Sequence, residues 1–575
     1  MKEPVIEFKD FSFRYKSQNE FTLHDINLTI YAGEKVLILG PSGSGKSTLG
    51  NCINGLIPFS YEGEIKGSLK VSGIETQNAN IFTLSNHVGT VLQDSDAQFV
   101  GLSVGEDIAF SLENDAVPRS EMLGKVEAVA GVVGMEGFLG ALPYSLSGGQ
   151  KQKVALGGIM HNDVQTLLFD EPLAALDPAM GMTAIDLIDQ IQKAHGKTVL
   201  IIEHRLEDVL YRHVDRIILV NDGRIQLDTT PDELLCSDIL KANGIREPLY
   251  ISALKNAGIR FTPGDHLDNI EELDFDRYKD DVVKAFQSVA LSAAKPKGEK
   301  IIEVSHVSYG YNKERLALSD VSFDICRGEK ISIVGKNGAG KSTAAKLICG
   351  IIRPQSGEVK INGEDYMALS IRDIGCIVGY VMQNPNQMLV KDIIKDEVGL
   401  VMQLHGFAQE EIDKRTERVL RMCDLYGMRN WPVGVLSYGQ KKRITIASIL
   451  GLQPDVIILD EPTAGQDYKR YTEIMSFIDE LNRDFGITIV FITHDMHLAI
   501  EYTDRSIVFA DSKCIADDVV FKVLSNNEII ERANLKQTSL VTLAERCGID
   551  PEQYIHYFID SEKAEREAFA KEGGI

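Results

Sequence analysis

An α/β fold used twice in one chain is what the sequence predicts. Three observations predict it. Each half has an apolar, β-branched-rich run that feeds a glycine-rich loop. Each half has a second apolar run that ends in paired acids. The landmarks of the two halves also follow one order at nearly constant spacing.

The first glycine-rich loop is Gly40-Pro-Ser-Gly-Ser-Gly-Lys-Ser-Thr48, entered from Val36-Leu-Ile-Leu, and the second is Gly335-Lys-Asn-Gly-Ala-Gly-Lys-Ser-Thr343, entered from Ile331-Ser-Ile-Val. Lys46 and Lys341 are 295 positions apart. Gln93 and Gln383, Leu146 and Leu436, Asp170 and Asp460, and His204 and His494 are each 290 apart. One offset shared by four landmarks implies one fold repeated in order, with five residues fewer between loop and glutamine in the second half. The spacing assigns 1–235 to a first domain and 236–300 to a helical segment and linker. It assigns 301–535 to a second domain and 536–575 to a charged helical tail. The linker ends in Ala293-Ala-Lys-Pro-Lys-Gly-Glu-Lys300, a polar Pro/Gly stretch.

Length and composition set the class. The chain has 575 residues, 44% hydrophobic and 25% charged, ordinary values for a globular protein that buries large cores. Its net charge of −24 opposes a phosphate backbone, so no nucleic-acid partner is expected. No apolar run approaches the ~18 residues of a membrane span, and the N-terminus lacks the apolar core of a leader peptide. The eight cysteines are scattered and never form Cys-x-x-Cys, which fits a reducing compartment without disulfides or zinc. Any membrane role is therefore expected to run through partner proteins, with the chain peripheral at the cytoplasmic face of the cell membrane.

Strand, glycine loop and helix together make a phosphate cradle. The glycines let backbone N–H groups turn toward phosphate, and the helix N-terminus adds the positive end of its dipole. Residues expected to bind nucleotide are Gly40, Ser42, Gly43, Gly45, Lys46, Ser47 and Thr48, and in the second half Gly335, Asn337, Gly338, Gly340, Lys341, Ser342 and Thr343. Lys46 and Lys341 are expected to reach the β- and γ-phosphates, and Ser47 and Ser342 to bind Mg²⁺ through their hydroxyls. ATP and Mg²⁺ are thus the expected cofactors.

Thr166-Leu-Leu-Phe-Asp-Glu-Pro172 and Val456-Ile-Ile-Leu-Asp-Glu-Pro462 each read as four buried strand residues and then two acids. The carboxyl end of a strand is where α/β folds bind ligands. Asp170 and Asp460 are expected to hold Mg²⁺. Glu171 and Glu461 are expected to polarise the attacking water. His204 and His494 each close a further strand and are expected to contact the γ-phosphate and that water.

Leu146-Ser-Gly-Gly-Gln150 and Leu436-Ser-Tyr-Gly-Gln440 resemble the signature motif of ABC transporter ATPases, and the resemblance covers nearly all of both halves. It implies two tandem P-loop NTPase (ABC ATPase) domains, each with a mixed/parallel sheet core and a helical signature subdomain. It implies nucleotide contacts from Ser147, Gly148, Gly149 and Gln150, and from Ser437, Gly439 and Gln440. Gln93 and Gln383 resemble the Q-loop residues, which meet nucleotide and Mg²⁺. Ala174-Ala-Leu-Asp177 and Ala464-Gly-Gln-Asp467 resemble the D-loops, and Tyr15 and Tyr311 sit where the family stacks an aromatic on adenine. The family also implies head-to-tail pairing, each ATP lying between one half's P-loop and the other half's signature.

A narrower resemblance is to energy-coupling factor (ECF) transporters, which import vitamins and metal ions. Val91-Leu-Gln-Asp-Ser-Asp-Ala-Gln-Phe99 with Val104-Gly-Glu-Asp-Ile-Ala-Phe110 carries it. So do Gln383-Asn-Pro-Asn-Gln387 with Lys395-Asp-Glu-Val398, and Gly244-Ile-Arg-Glu-Pro-Leu-Tyr250. It implies a transmembrane coupling protein and a small substrate-binding membrane protein as partners. Glu106, Asp107, Asp396 and Glu397 would meet arginines of the coupling protein. Two alternatives stand beside it. Twin-cassette sugar-import ATPases are similar in length but typically carry one damaged site, whereas both P-loops and both glutamates are intact here. Twin-cassette proteins acting on ribosomes usually bring a basic linker, whereas this one holds the acidic Asp268-Asn-Ile-Glu-Glu-Leu-Asp-Phe-Asp276.

Tyr438 departs from the family pattern by replacing the first glycine of the signature pair. Both sites are still expected to bind ATP, but the one closed by this signature, on the first-half P-loop, is expected to turn over more slowly. Glu461→Gln should therefore reduce steady-state phosphate release more than Glu171→Gln. Equal losses would remove the case for unequal sites.

Overall fold

The computed structural model describes residues 3–92, 98–160, 164–174, 176–292, 298–312, 315–463 and 466–571. They fall into two compact units, Met1–Val282 with Asp467–Lys469, and Val283–Gln466 with Arg470–Ile575.

The first unit contains β1 (Pro4–Tyr15), β2 (Leu23–Tyr31), β3 (Lys35–Leu39), β4 (Gly63–Val71) and β5 (Ile74–Glu75). It continues with β6 (Val88–Val91), β7 (Thr166–Asp170), β8 (Thr198–Ile202), β9 (Arg216–Asn221) and β10 (Arg224–Thr229). An antiparallel sheet runs β2-β1-β4-β5. A second sheet runs β10-β9-β3-β8-β7-β6 and is parallel except between β9 and β10. All residues of β3 and β8 are buried. Parallel strands covered on both faces must be apolar throughout, which is why they read as unbroken runs rather than as alternation.

The second unit repeats this plan with β11 (Lys300–Tyr309), β12 (Leu318–Cys326), β13 (Lys330–Gly335), β14 (Ser356–Ile361) and β15 (Glu364–Asp365). Then come β16 (Val378–Val381), β17 (Val456–Asp460), β18 (Thr488–Ile492), β19 (Arg505–Ala510) and β20 (Lys513–Val519). Its sheets run β12-β11-β14-β15 and β16-β17-β18-β13-β19-β20, the same neighbours in the same order. In each unit both sheets share a core with the helix that follows the glycine loop, Lys46–Ile53 or Lys341–Ile348. Phe8 and Phe13 of β1 meet Leu49 and Ile53 of that helix and Leu168 and Leu200 of the parallel sheet. Ile302, Leu347, Ile458 and Val490 do the same in the second unit. Burying each such side chain contributes about 1.5–3 kcal/mol, so the core fixes where the loop begins.

A helical subdomain is inserted between β6 and β7, with helices Val104–Asn114, Arg119–Val133 and Gly148–Met160. Its counterpart between β16 and β17 has Ile394–Leu404, Gln409–Met422 and Tyr438–Leu450. Helices Leu249–Asn256 and Phe275–Ser288 fill the segment between the repeats, and Ser539–Cys547 and Pro551–Lys571 form the tail. Tail residue Tyr557 packs edge-on against Phe286 at 5.7 Å, and His556 stacks on Phe521 at 4.4 Å. Among the described residues no helix is long and apolar enough to cross a membrane.

One buried ion pair recurs. Lys35, at the start of β3, pairs with Asp189 of the helix Pro178–His195, which also holds Lys193 at 2.8 Å. Lys330 pairs with Asp479 in the same way. The first pair is the drier, with side chains 4% and 8% exposed against 17% and 34% in the second. Burial holds the Lys35 ammonium below the usual lysine range even with Asp189 beside it. Removing one partner of a buried pair leaves an uncompensated charge, worth about 3–5 kcal/mol, whereas exposed pairs contribute about 0–1 kcal/mol. Asp189→Ala should therefore lower unfolding stability in urea titration clearly more than Asp479→Ala. The reverse ranking would contradict the burial argument.

Candidate functional site

β3, β8 and β7 are neighbours, and their carboxyl ends lie side by side. The Glu203 N–H donates to Ile38 O at 3.4 Å, and the Glu171 N–H to Ile202 O at 2.8 Å. That register brings Gly40, His204, Asp170 and Glu171 to one sheet edge. In the second unit the Thr493 N–H donates to Ile333 O at 3.2 Å and the Glu461 N–H to Ile492 O at 2.8 Å. Gly335, His494, Asp460 and Glu461 gather correspondingly.

The glycine loops curl around their own lysines. Lys46 Nζ donates to Gly40 O at 2.8 Å and Pro41 O at 2.9 Å, and Lys341 Nζ to Gly335 O at 2.7 Å and Lys336 O at 3.0 Å. Gly45 and Gly340 precede the helices with φ of 103° and 110°, a conformation that favours glycine. A Cβ on Gly340 would stand 2.6 Å from Ala317 O. Gly43 and Gly338 also have positive φ, of 78° and 76°. Ser42 and Asn337 sit in the loops, and Ser47 and Ser342 are exposed in the first helical turn. Tyr15 Oη lies 3.1 Å from Thr48 Oγ1, and Tyr311 Oη 3.5 Å from Thr343 Oγ1, so both tyrosines stand beside the P-loop helix.

Charge at this edge is poorly screened. Burial takes the Lys46 ammonium down to about 8 against the pull of Glu171 and Asp170. Burial, then the Glu171 charge, pushes the Asp170 carboxyl up to about 6. A divalent cation would relieve that strain. Ser47 Oγ lies 3.3 Å from Asp170 Oδ1, a pair of hard oxygen donors of the kind Mg²⁺ takes, so the residues present fit the ion. Among the described residues no group of three or more His, Cys, Asp or Glu is placed to hold a metal. At this pair, waters and phosphate oxygens would complete the Mg²⁺ shell. Burial also raises Asp460, which accepts a 2.6 Å hydrogen bond from the Tyr380 hydroxyl. Thr90 holds the matching place on β6 and meets Asn54 at 3.3 Å instead.

Both candidate bases occupy left-handed backbone, Glu171 at φ 50° and Glu461 at φ 45°. Such a conformation costs a non-glycine residue about 1–3 kcal/mol and persists only where the surroundings enforce it. His204 Nε2 is 2.9 Å from Glu171 Oε1, and His494 Nε2 is 3.3 Å from Glu461 Oε1. Burial alone would raise the Glu171 carboxyl, but His204 and Lys46 outweigh it and hold it below the usual carboxylate range. It is thus an anion at neutral pH, as a proton acceptor must be.

Beneath these like groups lie unlike supports. Gln152 Nε2 donates to Pro172 O, whereas the corresponding Lys442 Nζ donates to Glu461 O at 2.8 Å and Pro462 O at 2.7 Å. Glu203, 2% exposed and pushed up by burial, accepts from the N–H groups of Leu173 at 3.2 Å, His204 at 2.9 Å and Arg205 at 3.3 Å. Arg205 Nη2 donates to Leu173 O at 2.6 Å. In the second unit Thr493 stands in place of Glu203, and its Oγ1 accepts the Asp495 N–H at 2.9 Å. Motif reading missed these residues. Aligning the halves at the common offset exposes them, since 152/442, 203/493 and 90/380 are unlike pairs inside like motifs.

The signature residues open the helices of the inserted subdomains. Ser147 and Gln150 exchange capping bonds, at 3.0 Å from the Ser147 N–H and 3.4 Å from the Gln150 N–H, and Ser437 and Gln440 do so at 3.0 and 3.3 Å. Gly148, Gly149 and Gly439 fall in the first turns. Gln383 follows β16, and its main-chain oxygen accepts from the Tyr438 hydroxyl at 3.0 Å. Gln93 lies outside the described residues, as do Ala175 of the first D-loop and Ala464 and Gly465 of the second.

Three of the four acids expected as partner contacts bind backbone N–H groups of their own loops. Asp107 Oδ1 accepts the Val100 and Gly101 N–H groups at 2.8 and 3.0 Å, and Glu106 Oε2 those of Leu102 and Ser103 at 2.9 and 3.1 Å. Glu397 is 4% exposed and accepts from Val390 and Lys391 at 2.9 and 2.6 Å. Asp396, the fourth, is exposed. The loops so held present apolar side chains, with Val100 63%, Leu102 79% and Val390 73% exposed.

The chain is similar to known proteins over nearly all of its length. The family model described as ABC transporter matches residues 23–174 and 318–464. A second, described as ATP-binding cassette cobalt transporter, matches 237–309. Relatives from Vibrio vulnificus (strain CMCP6) and Clostridium perfringens (strain 13) are each 52% identical over 98% of this chain, and over 98% and 100% of their own lengths. One from Enterococcus faecalis is 53% identical over 96% of this chain and 97% of its own. All three are named for an ABC transporter ATP-binding role. Among solved structures, cbiO1 from Clostridium perfringens, described as part of the ABC transporter complex cbiONQ, is 32% identical. The match covers 41% of this chain and 95% of that one, with a TM-score of 0.38.

The paired glutamates yield a direct test. The double variant Glu171→Gln, Glu461→Gln should lose about 100-fold or more in phosphate release while retaining ATP in a filter-binding assay. Turnover near the parent rate would exclude both residues as bases.

Proposed function

The chain belongs to the ABC transporter family of ATP-binding proteins, and we propose that it powers uptake of a micronutrient through an ECF-type membrane complex. The cargo class is a vitamin, a vitamin precursor or a metal ion. The partners are a transmembrane coupling protein and a small substrate-binding membrane protein, and the chain works at the cytoplasmic face of the cell membrane. The observation that carries this reading is the match of residues 237–309, between the cassettes, to a cobalt-transporter description. Two complete sets of P-loop, acid pair and histidine support turnover at both sites.

In this reading the P-loop N–H groups and Lys46 or Lys341 grip the β- and γ-phosphates. Glu171 or Glu461, oriented by its histidine, accepts a proton from water as the water oxygen bonds to the γ-phosphorus. The bond from that phosphorus to the β–γ bridging oxygen breaks, releasing ADP and inorganic phosphate. Mg²⁺, held by Ser47 and Asp170 or by Ser342 and Asp460, would draw negative charge from the phosphate oxygens. Ser147 and Ser437 use their oxygens as helix caps. Their hydroxyl protons are left to donate to a γ-phosphate presented by the other cassette, beside the N–H groups of the helix N-terminus. ATP then closes the pair and hydrolysis reopens it, and that motion drives the membrane partner.

Docking of the coupling protein is assigned to the apolar loop tips rather than to the acids. Val100 and Leu102 present an exposed apolar patch steadied by Glu106 and Asp107, and apolar anchors dominate interface energetics. Co-expression with the neighbouring membrane proteins should give a stable detergent-purified complex with a bound micronutrient identifiable by mass spectrometry. Fractionation with ribosomes instead would overturn the assignment. Within that complex, Val100→Ser with Leu102→Ser should reduce recovery of the membrane subunits at least fivefold while leaving ATP binding intact. Unchanged recovery would return these side chains to the bare surface.

A further inference from the structure

Among the differences between the two signature helices are two positions one turn apart, and in the second unit the residues at those positions connect. Tyr438 stands where the first signature has Gly148, and Lys442 where it has Gln152. Tyr438 opens the helix Tyr438–Leu450, and its half-buried side chain reaches the loop after β16 to donate to Gln383 O at 3.0 Å. Lys441 adds a second tie to that loop, at 3.0 Å to Asn386 Oδ1. Lys442 lies one turn on, with Nζ 5.6 Å from the Tyr438 ring centroid, within cation–π reach. The same ammonium donates to the carbonyls of Glu461 and Pro462 at 2.8 and 2.7 Å.

We propose that Lys442 and Tyr438 are positioning residues for Glu461, forming a relay that sets the angle of the catalytic turn from the Gln383 loop. The inference rests on the reading of Glu461 as the base. Three observations carry it. Lys442 is 2% exposed, so it is a structural cation rather than a surface one. Its ammonium donates to two main-chain carbonyls away from water, where charge-assisted hydrogen bonds are strengthened. The two carbonyls it holds are those of Glu461, at φ 45°, and of the residue that follows it, and such a conformation needs external support. In the first unit Gln152 supplies one neutral bond, to Pro172 O, and Gly148 has no side chain to extend the chain of contacts. The relay thus belongs to one cassette and makes its glutamate sensitive to movement of the Gln383 loop.

The full chain tests this by steady-state kinetics with thermal unfolding as a control. Lys442→Gln installs the residue that the same fold already carries in the first cassette. It should lower kcat at least fivefold with KM for ATP within twofold. Tyr438→Phe removes only the hydroxyl and should lower kcat about threefold with KM unchanged. Because the contacts act in series, the double variant should lose no more than Lys442→Gln alone. A kcat within twofold of the parent for Lys442→Gln, a loss confined to KM, or single losses that multiply in the double variant would each overturn the relay. Should Lys442→Gln fail to fold, Tyr438→Phe decides alone, and an unchanged kcat refutes the proposal. Glu461→Gln is measured alongside. If it leaves kcat intact, the assignment of Glu461 as base fails instead of the relay.

Discussion

Charge held at the edge of an apolar sheet is the constraint around which each unit is organised. Lys46, Asp170 and Glu171 are each displaced from their ordinary ionisation by burial or by one another. In such surroundings Coulomb energies per pair are several-fold larger than in water. The protein keeps these charges from collapsing together by anchoring each separately. The lysine is tied to its loop carbonyls, Asp170 meets the Ser47 hydroxyl, and the glutamate sits on a backbone turn beside histidine. The buried strands supply the rigidity that makes separate anchoring possible.

The residues expected to touch phosphate recur in both halves, whereas those beneath them differ. Both loops, both acid pairs and both histidines recur in the same order, each histidine beside its glutamate. One layer further in, a buried carboxyl group, Glu203, backs the turn after Glu171, and a buried amine, Lys442, backs the turn at Glu461. Tyr380 reaches Asp460 where Thr90 faces Asn54. The two candidate sites therefore stand against different electrostatic backgrounds.

The acids next to the Q-loops serve their own loops in a way the sequence does not show. Glu106, Asp107 and Glu397 look like ligands for a basic partner, yet they satisfy backbone N–H groups in the turns before their helices. Such groups need partners whenever the chain turns away from water. The result is an apolar loop tip on an acidic scaffold.

The sequence by itself determined the duplicated α/β architecture and nearly every residue expected to touch ATP. The reason is covalent locality: a phosphate cradle, a strand ending in acids and a capped signature helix each fit within a few consecutive residues, so their spacing is written along the chain. Tertiary structure alone decided how those groups are supported. The left-handed glutamates, the Glu203 cap, the Tyr380–Asp460 bond and the Lys442 clamp depend on side chains far apart in sequence that meet because strands and helices pack in one register. Tyr438 marks the boundary between the two. Its departure from the signature was visible in the sequence, but its bond to Gln383, 55 residues away, exists only because packing sets the signature helix against that loop.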